Sequence, residues 1–234
     1  MRSAIRSLAL VSVLGFAAAP AFGQVTVGTF NQGNCFPFNC GSITRYQEIY
    51  DASAFGSLPF LINTIGFYTD QDYGPTSYNN ELASLTIGTT TVAPLGILPV
   101  GTNPISNSAT FFTNAYLTGT INDPTFGGTP YLYDPSQGNL ILDWTFVGGE
   151  YDYSRGFFEA DGTPFNTTSC SGTIGRAWNS GIEGAYNDGC GALVTTFNGT
   201  NPVNVGVTPE PATLLLLGTG LFGLTAVGLL RRTA

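Results

Sequence analysis

Glycine, proline and asparagine punctuate the middle of this chain so closely that long helices are excluded from it. The sequence holds 31 Gly and 14 Pro in 234 residues, and each costs a helix interior roughly 1 (Gly) or 3 (Pro) kcal/mol relative to Ala. Between the breaks lie short runs rich in β-branched and aromatic residues, the composition of strands. Seven stand out as strands: Val25 to Phe30, Ile62 to Thr69, Leu82 to Ile87, Phe111 to Leu117, Leu140 to Val147, Thr173 to Trp178 and Leu193 to Phe197. Short strands with frequent turns predict a mainly β body, an antiparallel β-sandwich of jelly-roll type. One stretch, "RYQEIYDASAF" (Arg45 to Phe55), fits both periods: Tyr46, Glu48 and Tyr50 alternate, while Tyr46, Ile49 and Tyr50 could share a helical face.

The two ends depart from this pattern. At the start, Arg2 and Arg6 precede an apolar stretch from Leu8 to Ala19 and then small residues, the three-part layout of a secretory signal peptide. Cleavage after Gly23 places Ala21 and Gly23 in the small-residue positions, and cleavage after Ala21 satisfies the same rule. At the other end, Ala212 to Leu230 is uncharged and ends at Arg231 and Arg232. At about 1.5 Å per helical residue that run approaches the roughly 30 Å of a bilayer core. The organisation expected is a signal peptide over 1–23, a body over 24–207, and a membrane-directed tail over 208–234. The terminal arginines would stay on the cytoplasmic side, leaving the body outside.

Charge narrows the partners. All seven basic residues are arginine, and of the 15 carboxylates only Glu210 lies in the tail, so the body carries 14 against Arg45, Arg155 and Arg176. Such a surface repels nucleic acid and anionic headgroups. Histidine is absent, which removes Ser-His-Asp and Cys-His nucleophiles and imidazole metal sites. Carboxylate chemistry of the glycosidase kind and oxygen-ligated calcium stay open.

Four cysteines form two local pairs, Cys35 with Cys40 and Cys170 with Cys190, the first bracketing a short Pro- and Asn-containing loop and the second a Gly- and Asn-rich one. In an exported chain an even count argues for disulfides, and local pairing closes both loops.

The tail orders three parts: Pro209-Glu210-Pro211, the apolar run 212–230, and Arg231-Arg232. It closely resembles the PEP-CTERM sorting signal of bacterial exported proteins. The resemblance implies recognition by a membrane-embedded exosortase, an inner-membrane-anchored precursor, and delivery to the cell surface or exopolysaccharide matrix. An ordinary permanent anchor shares that topology without cleavage near Glu210. "RYQEIYDASAF" and "YLYDPSQGNLILDW" are similar to segments of the uncharacterised β-rich bodies that precede such tails, which implies a β fold in an extracytoplasmic setting.

Within the body, function has two routes. Glu150 with Asp152, and Glu159 with Asp161, alternate as strand-face pairs, but a glycosidase needs two carboxyls about 5 to 9.5 Å apart across a sugar. Asp70, Asp72 and Asp152 are calcium-ligand candidates, although "DQDYG" lacks the later Gly and Glu of an EF-hand. Tyr131, Tyr133, Tyr151, Tyr153 and Trp178 are candidates for stacking on sugar rings, the tyrosines beside Asp152 before the others, and Trp144 belongs to the core. The leading expectation is a non-enzymatic envelope or matrix protein with a structural or interaction role. A carbohydrate-binding module for exopolysaccharide, without cofactor or with calcium, comes second, and a carboxylate glycosidase third.

Overall fold

A computed structural model of the chain describes residues 22–38, 43–70, 72, 76–147, 157–163, 170–180 and 184–200. Thirteen strands run in chain order: β1 Phe22–Val27, β2 Gln32–Asn34, β3 Ile43–Tyr50, β4 Phe60–Phe67, β5 Thr76–Thr90, β6 Ser106–Ile121, β7 Thr125–Tyr133, β8 Asn139–Val147, β9 Phe158–Asp161, β10 Ile174–Ser180, β11 Gly184–Asp188, β12 Ala192–Leu193 and β13 Thr195–Thr200. Only single 3-10 turns, the longest Ala52–Phe55, represent helix among the described residues.

The strands form three sheets, of order β1-β13-β4-β7, β11-β10-β3-β8-β5-β6 and β12-β9-β2, and their ladders are antiparallel. The mainly β, antiparallel expectation therefore holds. "RYQEIY" resolves as strand β3, and Asp51 ends it by accepting the Ser53 backbone N–H at 2.8 Å, which caps the following 3-10 turn. A side-chain acceptor at that position satisfies a backbone donor that the turn leaves orphaned.

β8 explains why "LILDW" reads as a continuous apolar run. Leu140, Leu142 and Trp144 enter the main core, while Ile141 enters a second cluster with Ile49, Ile97 and Ala177 on the opposite face. A strand covered on both faces loses the polar alternation of a half-exposed one. In the main core, rings from the four- and six-stranded sheets meet: Phe126 with Trp144 at 5.2 Å, Phe67 with Trp144 at 6.0 Å, and Tyr50 with Phe197 at 4.9 Å between centroids. Phe38, from the loop after β2, contacts Phe67, Phe126, Trp144, Phe146 and Phe158. Edge-to-face and offset rings of this kind each add about 0.5 to 1.5 kcal/mol beyond burial.

Cys170 and Cys190 are joined by a disulfide, as the local spacing predicts. Cys35 is disulfide-bonded as well; Cys40, the partner expected for it, lies outside the described residues, as do residues 1–21 and 201–234 with the cleavage-side, tripeptide and terminal-arginine expectations. No helix among the described residues is long and apolar enough to cross a membrane.

Candidate functional site

The small sheet β12-β9-β2 and the turn after β4 enclose a polar cleft. Gly28 ends β1 with φ +103°, a conformation an L side chain rarely adopts, and a Cβ there would meet Ile174 at 2.7 Å. That turn carries the chain through Phe30 and Asn31 into β2. Opposite, Asp70 donates its backbone N–H to Phe157 O at 2.8 Å and Glu159 donates to Tyr68 O at 2.8 Å, fixing the turn against β9. Asp70 Oδ1 accepts the Asp72 N–H at 2.9 Å. The resulting cavity, about 410 Å³, is lined by Phe30, Asn31, Gln32, Gly33, Asp70, Asp72 and Glu159.

Asp161 is the brace behind it. Fully buried, it accepts Thr29 N–H on one oxygen at 2.9 Å and Ser171 N–H and Oγ–H on the other at 2.9 and 2.7 Å. It therefore stitches the β1–β2 loop to the disulfide loop. Glu159, two residues earlier, stands at the cleft instead. Its carboxyl is pushed above the usual carboxylate range, first by burial and then by the negative charges of Asp70 and Asp72. The cleft thus brings together three carboxylates, two amide side chains and one aromatic, Phe30, which is 51% exposed and meets Tyr68 edge-on at 4.8 Å. Carboxylates and amides accept and donate to hydroxyls, and an exposed ring offers a face for an apolar sugar surface.

Several residues expected at a site lie elsewhere. Tyr131 and Tyr133 are not a surface platform: both are buried, and their hydroxyls donate to Asn107 O at 3.0 Å and Gly138 O at 2.8 Å. Alternation along β7 turns these two rings inward and leaves the intervening Leu132 54% exposed. Burial raises the phenol pKa of both tyrosines. Trp144 is fully buried in the main core, as expected for it. Trp178, also buried, lies between Phe36 at 5.7 Å and Tyr186 at 5.5 Å. Of the calcium candidates, Asp70 and Asp72 share the cleft; among the described residues no three His, Cys, Asp or Glu side chains come together as a metal-binding group. Asp152, Glu150, Tyr151 and Tyr153 lie outside the described residues.

A second carboxylate setting sits in the core. Glu48 of β3 is fully buried and accepts from Tyr46 OH at 2.8 Å, Tyr50 OH at 2.5 Å and Leu193 N–H at 2.6 Å. Its strand partner is Arg176, which lies 3.7 Å from Asp188 with its guanidinium 4.6 Å from the Trp178 ring centre. Burial pushes the Glu48 carboxyl up to about 7, against the three hydrogen bonds and the positive charge of Arg176.

Neither Phe30, Tyr68, Asn31 nor Gln32 carries a local motif, and only Asp70, Asp72 and Glu159 of the cleft are marked in the sequence, as acidic residues beside glycine or aromatics. The described part is thus a mainly β, antiparallel body with one polar, aromatic-rimmed cleft. Its tail is more specific: residues 207–232 match the family model described as the PEP-CTERM protein-sorting motif. No curated protein and no solved structure matches the chain. The motif implies export, a membrane-anchored precursor and processing by an exosortase.

Proposed function

We propose that the body is an antiparallel β-sandwich of jelly-roll type, which its tail delivers to the cell surface or extracellular matrix to act as a non-enzymatic structural or interaction component. The match of residues 207–232 to the sorting motif carries this reading. Two further facts support the non-enzymatic part. The chain has no histidine to serve as a base near neutral pH. Asp161, which alternation pairs with Glu159, has both oxygens committed to fixed donors, so that pair lacks a second free carboxyl for glycosidase chemistry.

The test is fractionation of source cells carrying the wild-type chain or one with Pro209, Glu210 and Pro211 replaced by alanine. The wild-type body is expected in the surface or matrix fraction and the variant in the inner membrane. Identical distributions would contradict sorting through the tripeptide.

A second reading, a carbohydrate-binding module for exopolysaccharide, is favoured by one observation: the half-exposed Phe30 ring stands beside the amides and carboxylates of the cleft. Affinity electrophoresis through gels containing the source's exopolysaccharide checks it. Retardation of the wild type that Phe30→Ala abolishes is the expected result, and equal mobility of both proteins would contradict it. Loss of retardation on adding chelator would assign calcium to the contact.

A further inference from the structure

Three contacts at the buried end of β3 need more hydrogens than the two hydroxyls there carry. The Thr195 hydroxyl donates to Leu193 O at 2.8 Å, a contact in which only the hydroxyl can be the donor. Tyr50 OH lies 2.9 Å from the same Thr195 Oγ1 and 2.5 Å from Glu48 Oε2. A hydroxyl has one proton to give. Thr195 directs its own to Leu193 O, so Tyr50 must donate to Thr195, and the hydrogen between Tyr50 and Glu48 has to come from the carboxyl. The three contacts are therefore all made only when Glu48 is protonated and donates. With the carboxyl ionised, Glu48 accepts from Tyr50 instead, and Thr195 can then serve Tyr50 or Leu193 O but not both. The other oxygen, Oε1, accepts from Leu193 N–H and Tyr46 OH in either state.

The surroundings favour the protonated form. Burial outweighs the hydrogen bonds and the positive charge of Arg176, which brings the carboxyl from 4.5 up to about 7. Among the described residues, the titratable and charged groups facing Glu48 are Tyr46 and Tyr50 on its own strand and Arg176 on β10, with Asp188 of β11 3.7 Å from Arg176; β8 places the apolar Leu142 opposite it. The hydrogen-bond chain ends where the small sheet joins β13. Leu193 pairs with Ala160 of β9, Val194 donates its N–H to Glu159 O at 2.9 Å, and Thr195 begins β13. The junction is thus shared by the core carboxyl and the strand that carries Glu159 of the cleft.

We propose that Glu48 is a pH-operated latch: with its proton in place, a hydrogen-bond chain runs from Glu48 through Tyr50 and Thr195 to Leu193 O and ties the β12–β13 junction to the core. Loss of that proton to solvent water reverses the first link and leaves one contact of the chain unmade. The latch is closed on the acid side of the Glu48 midpoint and open on the alkaline side.

The experiment is an NMR titration of the isotope-labelled, oxidised protein from acid to alkaline pH, following Glu48 Cδ together with the backbone amides of Leu193 and Val194. A Glu48 midpoint near neutrality, shared by both amides and lost from them in Glu48→Gln, is the expected result. Thr195→Val keeps the shape of the side chain and removes the acceptor for Tyr50. It should lower the Glu48 midpoint by about one pH unit, the order of one net hydrogen bond, and Thr195→Ser should restore it. Burial alone predicts a midpoint unchanged or raised in Thr195→Val, and that result would overturn the chain. A wild-type midpoint at the ordinary 4.5, or junction amides that do not follow Glu48, would overturn the latch. The wild-type and Glu48→Gln titrations decide this whether or not the valine variant folds.

Discussion

Glu48 and Glu159 are both carboxylates held above their usual range by burial, yet they sit in opposite kinds of place. Glu48 is sealed in the core, its oxygens taken by two phenols and a backbone N–H, with Arg176 as its strand partner. Glu159 lines an open cleft where two charges acting on it, Asp70 and Asp72, have its own sign. Perturbation alone does not mark a functional group. What separates the two is access and saturation: the core carboxylate is buried with three donors on its oxygens, and the cleft carboxylate lines a cavity.

The comparison can be broken most sharply at Glu48. Glu48→Ala leaves the Tyr46, Tyr50 and Leu193 donors without their acceptor and Arg176 without its strand partner's charge, and should cost about 3 to 5 kcal/mol by denaturant titration. A cost below about 1 kcal/mol would show that the network is not structural.

Next in size, at about 3 kcal/mol, is the pH dependence. The folded pKa of about 7 lies above the ordinary 4.5, so the folded state holds the Glu48 proton more tightly than the unfolded one. Its stabilising contribution is complete below about pH 4.5, declines as pH rises, and is lost above about 7, a total of about 3 kcal/mol. Glu48→Gln should flatten that component of the stability profile between pH 4.5 and 7. A profile unchanged by the substitution would place the titration elsewhere.

Reduction should lower stability by a similar amount. The Cys170–Cys190 bridge spans 20 residues, for which loop closure gives about 3 kcal/mol. Coincident melting curves with and without reductant would remove the bridge from the account.

The smallest effect belongs to the cleft. Glu159→Gln or Asp72→Asn should change stability by no more than about 0.5 kcal/mol, with a gain favoured because a like charge is removed. A large loss in either variant would make the cleft a structural element like the Glu48 network and erase the contrast.

How much of this was readable from the sequence differs by element. "LILDWTFV" is a strand on composition alone, because β8 is buried on both faces and nothing polar interrupts it before Asp143, which is itself buried and accepts from Arg45 at 2.6 Å. The loop-closing cysteines at 170 and 190 are equally legible. β7, "TFGGTPYLY", is not: two glycines and a proline argue against a strand, and only its position at a sheet edge tolerates Pro130. β5 and β6 run to 15 and 16 residues, far beyond the expected Leu82 to Ile87 and Phe111 to Leu117, because register shifts at four places absorb residues that would otherwise end them. Leu193 to Phe197 is interrupted at Val194, whose N–H turns to Glu159 O at 2.9 Å.

The cleft was legible only in fragments. Its residues come from 30–33, 70, 72 and 159, and no local period brings such positions together. The aromatic expectation failed at Tyr131 and Tyr133 for a related reason: a tyrosine next to a turn looks exposed until its hydroxyl finds a backbone acceptor, here Asn107 and Gly138. The tail, by contrast, is recognised from contiguous residues, so sorting was readable where the body's contacts were not.

The contrast between a saturated core carboxylate and an open cleft is tested most directly by titrating fragments of the source's exopolysaccharide into isotope-labelled, oxidised protein and following backbone amides by NMR. Saturable shifts at Phe30, Asn31, Asp72 and Glu159, with Tyr46, Glu48 and Tyr50 unmoved, are the expected result. No shift at the cleft at any concentration, or shifts centred on another face of the body, would contradict the second reading, in which the cleft takes exopolysaccharide.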